Sequence, residues 1–85
     1  MLKGVVISNI VSTRKQDSLI GSKFLEIRLI ENGCDTDKFV IAVDSAGAGI
    51  GETVLITTGS SARLALHNTE APVDAVVVGI VDQLG

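Results

Sequence analysis

Residues 41–66, IAVDSAGAGIGETVLITTGSSARLAL, decide how this chain is read. They pass from an apolar strand into a loop with glycine at every second position (Gly47, Gly49, Gly51), then into a second strand and a short helical turn. Glycine at this density permits backbone shapes barred to other residues and lets another backbone come close, at roughly 0.5–1 kcal/mol per glycine relative to alanine in regular structure. Three things can come close: a phosphate, another part of the same fold, or another copy of the chain. The residues that follow tell against phosphate. A phosphate-cradling loop leads from a strand into a helix, whose N-terminal N–H groups and dipole hold the anion. Here the loop leads into Glu52-Thr-Val-Leu-Ile-Thr-Thr58, rich in β-branched residues and read as strand. The spacing G-x-G-x-G also lacks the later glycine of a dinucleotide fingerprint and any Gly-Lys-Ser/Thr. A structural glycine loop, serving assembly and lying outside the alternating core positions, is the expectation.

Working outward, residues Leu2 to Val11 are rich in Val and Ile on both faces and read as a strand covered on both sides. Ser12 to Ser22 shows neither periodicity and reads as a surface loop. Lys23 to Ile30 alternates, with Leu25, Ile27 and Leu29 on one face and Glu26 and Arg28 on the other, which predicts a half-buried strand. Asn32-Gly33 is a strong hairpin signal, and the acids around it, Glu31, Asp35 and Asp37, read as a solvated tip because they lack the length and closing glutamate of a calcium loop. Strand three is expected from Lys38 to Asp44 and strand four from Glu52 to Thr58. Ser60 or Ser61 then caps a short helix through Ala62-Arg63-Leu64-Ala65, and Pro72 lies beyond it. The last strand is expected over Asp74 to Asp82, with Val76, Val78 and Ile80 on one face and Val77 and Val81 on the other. One short helix cannot cover the back of an open sheet. The pattern therefore points to an all-β domain spanning 1–85: a small five-stranded OB-like barrel with one short helix after strand four and subunit contacts outside it.

Composition narrows the function. With 85 residues, 46% of them apolar but only Phe24 and Phe39 aromatic, the chain carries an aliphatic surplus that a domain this small buries best against other subunits. The single cysteine, Cys34, has no intrachain partner for a disulfide, and the single histidine, His67, has no company that completes a zinc site, so no metal or cofactor is expected. A net charge of −3 without clustered Lys or Arg, and the absence of Tyr and Trp, argue against the nucleic-acid binding that OB-type barrels often perform. The longest apolar run, Ala75 to Val81, is far short of a membrane span. Nothing at the start reads as an export signal, which predicts a cytoplasmic protein. Ser60 or Ser61 with His67 could be imagined as a hydrolytic pair, but neither serine sits in a nucleophile elbow, and a cap and a surface imidazole are the plainer reading.

Four motifs in order carry a resemblance over nearly the whole chain: Val11-Ser-Thr-Arg-Lys15 with Ser18-Leu-Ile-Gly21 and Lys23; Val43-Asp-Ser-Ala-Gly-Ala-Gly-Ile-Gly-Glu52 with Val54-Leu-Ile56; Gly59-Ser-Ser-Ala-Arg63; and Pro72-Val-Asp-Ala-Val-Val-Val-Gly-Ile-Val-Asp82. In these the chain resembles the EutN/CcmL family, the vertex proteins of bacterial microcompartments. The resemblance implies a non-enzymatic OB-like barrel that assembles into a cyclic pentamer, sits with hexameric facet proteins in a polyhedral shell enclosing metabolic enzymes, and binds no cofactor. A ring is closed by a heterologous interface, so each subunit must present two different patches. The candidates are Val76 and Val78 on the last strand for one, and Asp44, Ser45, Gly47, Gly49 and Gly51 with Gly59, Ser60 and Arg63 for the other. An OB-type nucleic-acid or small-ligand binding module is the alternative reading.

Overall fold

The computed structural model describes residues 1–10, 23–59, 62, 65 and 74–82. Within them five strands follow one another: β1 (Leu2–Ile10), β2 (Phe24–Glu31), β3 (Cys34–Asp44), β4 (Thr53–Thr58) and β5 (Ala75–Ile80). They close into a barrel in the order β1-β2-β3-β5-β4, with β4 returning to β1. All neighbours are antiparallel except β3 and β5, which pair in parallel only at Val43↔Val76 and Asp44↔Val77. Closure leaves no long free edge on β1 or β4, which a five-stranded sheet of this size would otherwise expose.

The alternation in sequence sets which side chains fill the barrel. Val6, Leu25, Ile27, Ala42, Val54, Ile56, Ala75 and Val77 form the interior with Leu29 and Val40 beside them. The β2 and β3 strands are joined by two residues, Asn32 at φ 54° and Gly33 at φ 77°, between the paired Glu31 and Cys34. Two successive positive φ values are what a tight hairpin turn needs to match the twist of its strands. The hairpin expected at Asn32-Gly33 is therefore present, but it is tighter than the acidic stretch suggested. The ladder resumes at Cys34, so β3 is four residues longer than a strand starting at Lys38. Lys38 Nζ donates to Glu31 Oε1 across it at 3.2 Å.

A second apolar cluster lies outside the barrel wall. Val43 and Val76 are buried against Ala62, with Phe24, Ala65 and Val78 at its margin. Ala62 and Ala65 are helical; the rest of the helix expected after β4 lies outside the described residues. This cluster explains why β5 is apolar on both faces. Val77 points into the barrel, and Val76 is covered from outside by the chain's own segment at Ala62. The two-faced pattern was expected to mark a subunit contact, and for Val76 it marks an intramolecular one.

Candidate assembly interface

The glycine loop between β3 and β4 is organised by Asp44 at the end of β3. Its side chain is only 2% exposed. Oδ1 accepts the N–H groups of Ala46 at 2.9 Å and Gly47 at 3.0 Å, and Oδ2 accepts that of Ala48 at 3.0 Å. A buried carboxylate is tolerated only when its lone pairs are filled and its charge is matched. Lys23 supplies the match: its ammonium lies 3.8 Å from Oδ2 and donates to the Ala48 carbonyl at 3.1 Å. The loop is then stitched to its surroundings. Ser45 Oγ donates to the Val77 carbonyl at 2.6 Å, Gly51 N–H donates to Val6 O at 2.8 Å, and Gly49 N–H donates to Glu52 Oε1 at 2.6 Å.

These bonds draw Ala48 into the barrel, where it is fully buried among the core side chains. The loop is thus a lid on one end of the barrel, contrary to the expectation that it lies outside the core positions. The lid also disposes of the phosphate reading in physical terms. The N–H groups of Ala46, Gly47, Ala48, Gly49 and Gly51 are all spent on acceptors of the same chain, leaving no cradle of free donors for an anion. Glycine is required for different reasons along the loop. Gly47 and Gly51 have φ of 78° and 90°, which L side chains rarely adopt, whereas Gly49 does not and a Cβ there would meet only Glu52 Oε1 at 3.4 Å.

Of the residues singled out in the sequence, Asp44, Ser45, Gly47, Gly49 and Gly51 therefore gather at one end of the barrel. Gly59 lies at the other end, directly after β4, and its N–H donates to the Asp74 carbonyl at 2.8 Å. Ser60 and Arg63 lie outside the described residues, as do His67 and Ser61. Val76 is fully buried within its own chain, so it has no side-chain surface to offer a neighbour. Val78 is half-buried at the edge of the same cluster.

The sequence reading missed the apolar groups that do reach solvent. Phe39 and Ile41, on the outer face of β3, are 48% and 56% exposed, and Ile50 at the tip of the lid is 63% exposed. Arg28, across the ladder from Phe39, sets its guanidinium 5.3 Å from the ring centroid. The signal was available: Phe39, Ile41 and Val43 alternate with the inward Val40 and Ala42, so β3 is apolar on both faces, yet only Val43 is covered from outside. Phe39 and Ile41 also line an open groove of about 350 Å³ with Leu2, Leu29, Thr58 and Asp74, among others, where β3 and β5 diverge below their short parallel pairing.

The family model described as ethanolamine utilisation protein EutN/carboxysome matches residues 1–82. The chain belongs to the EutN/CcmL family. The carboxysome shell vertex protein CcmL of Gloeobacter violaceus is 44% identical over 93% of this chain and 80% of its own length. Its solved structure superposes with a TM-score of 0.92 at 41% identity, covering 100% of this chain and 89% of the other. The bacterial microcompartment shell vertex protein GrpN of Rhodospirillum rubrum is 45% identical over 96% of this chain and 93% of its own length. The solved structure of GrpN, a pentameric microcompartment shell protein, superposes with a TM-score of 0.88 at 40% identity, covering 100% of this chain and 98% of the other. For this member of the EutN/CcmL family, the closed barrel and the Asp44-centred lid are thus the frame on which any assembly surface must be built.

Proposed function

We propose that the chain is a structural, non-enzymatic shell subunit: five copies close into a ring that occupies a vertex of a polyhedral bacterial microcompartment in the cytoplasm, among facet proteins of hexameric symmetry. The observation that carries this reading is the near end-to-end match with the pentameric GrpN subunit, 100% of this chain against 98% of that one. Geometry gives the reading its sense. A sheet of hexagonal tiles stays flat, and a closed polyhedron requires positions of five-fold symmetry, so a small wedge-like ring has a purpose that needs no pocket and no catalyst. The nucleic-acid alternative loses support on the surface: the chain has no Tyr or Trp, and its exposed aromatic ring, Phe39, sits under Arg28 on the wall of an apolar groove.

Native mass spectrometry tests the ring, with a pentamer expected at micromolar concentration; a chain that remains monomeric throughout overturns the proposal. Co-expression with the facet proteins of one shell tests the vertex role. Closed polyhedra are expected only when the chain is present, and closed shells of equal yield without it would remove the vertex from its function. A fluorescence anisotropy titration with single-stranded oligonucleotide at physiological salt should show no saturable binding.

A further inference from the structure

We propose that Ile50 is the knob, and the Phe39–Ile41 groove the socket, of a contact between neighbouring copies of this chain. The inference rests on the ring reading above and names the contact that closes it. Ile50 stands out on its own loop. Ala46 and Ala48 are drawn against the core, while Ile50 between Gly49 and Gly51 is 63% exposed, which costs hydration free energy for no benefit inside the subunit. The loop that carries it is held on both sides: Asp44 takes three N–H groups before it, and Glu52 and Val6 hold Gly49 and Gly51 at either flank. A large aliphatic side chain on a pre-organised loop can be buried by a partner with little ordering cost, which is the condition for a strong anchor.

The socket is on the same chain at the other end of the barrel. β4 leaves the lid at Thr53 and reaches the groove at Thr58, and β1 runs from Leu2 in the groove to Val6 beneath the lid. That separation is roughly 15–18 Å at the rise of a strand, so one subunit cannot fill its own groove with its own knob. A second copy can, and the contact is then heterologous, as a ring requires. Charge agrees with this occupant. The knob is flanked by half-exposed Lys23, on Ala48 O, and by Glu52, on Gly49 N–H, and the groove by Asp74 and by Arg28 over Phe39, so each side carries one cation and one anion and can be seated with opposite charges facing.

Ile50→Asp and Ile41→Asp, each made separately, test the contact by native mass spectrometry and size exclusion with light scattering. Both side chains are more than half exposed, so the barrel is expected to keep its circular dichroism, while ring formation weakens by about tenfold or more at each of the repeated contacts. A second measurement removes dependence on those variants. In a Cys34→Ser background, Ile50→Cys with Ile41→Cys treated with a short bis-maleimide should give a covalent ladder of subunits, and either cysteine alone should give no species beyond a dimer. A wild-type ring that persists in both aspartate variants, or an intact double-cysteine ring that yields no ladder, overturns the contact and leaves the ring reading standing. Aspartate variants that keep the ring but no longer enter shells would overturn it as well, by assigning Ile50 to a facet protein. A wild-type chain that is monomeric defeats the ring reading and this contact with it.

Discussion

At the scale of single residues, the fold depends on two positions for reasons the local sequence does not display. A Cβ on Gly4 would stand 2.5 Å from Ile27 Cγ2 and 2.6 Å from the Arg28 carbonyl oxygen, and the carbonyl belongs to the paired strand and cannot turn aside. Gly4→Ala is expected to destabilise the subunit by about 1–3 kcal/mol in urea unfolding, as overpacked sites do. Gly49→Ala, with ordinary φ and only a flexible Glu52 oxygen at 3.4 Å, should cost far less. Asp44 is the second position. Asp44→Ala strands the N–H groups of Ala46, Gly47 and Ala48 and leaves Lys23 without its carboxylate, for an expected loss of about 2–3 kcal/mol. Asp44→Asn turns an amide NH2 or an amide oxygen toward each of these donors and cannot accept all of them, so it should recover only part of that loss. Equal stability of Asp44→Ala and wild type would show that water replaces the carboxylate without cost.

At the scale of elements, β5 and the β2–β3 hairpin show where local signals suffice. Asn32-Gly33 carries its turn in its own chemistry: Gly33 has φ 77° with open space around its Cα, so Gly33→Ala should cost about 1 kcal/mol through backbone conformation alone and leave the ring assembled. β5 carries no such instruction. Its alternating valines announce two covered faces, but whether the outer cover is a neighbour or the chain itself is set by Ala62 lying over Val76 and Val43. Val76→Ala is accordingly expected to cost 1–3 kcal/mol within the subunit, roughly the price of a small core cavity, and to appear as a lower urea midpoint with the pentamer intact at low temperature. A ring lost in a fully stable Val76→Ala subunit would return this residue to the interface.

At the scale of the whole molecule, an 85-residue chain without a disulfide, exposing Phe39, Ile41 and Ile50, should draw part of its stability from association. Its melting temperature is therefore expected to rise with protein concentration over the range in which the ring forms. Ile50→Asp should flatten that dependence while leaving the melting temperature at high dilution unchanged. A melting temperature independent of concentration in wild type, with the ring assembled throughout, would place the stability in the barrel alone.

Apolar patterning, by itself, pointed to five strands and a small barrel, because Leu25, Ile27 and Leu29 share one face, the first and last strands are apolar on both, and one short helix cannot cover the back of an open sheet. Four motifs in order over nearly the whole chain carried the resemblance to its family. The direction of each outward side chain was also legible, which is why Phe39 and Ile41 could have been found from β3 alone. What covers an outward side chain was not. Val76 and Phe39 read alike in sequence, yet one is sealed by Ala62 and the other faces solvent, since cover depends on where a distant segment returns. The lid belongs to the same class. Its glycines advertised an unusual loop, but only the tertiary structure shows that Asp44, Glu52 and the Val6 carbonyl take up its N–H donors, that Lys23 donates to its Ala48 carbonyl and that Ala48 enters the core, because hydrogen bonds between β1, β5 and the loop join residues far apart in the chain.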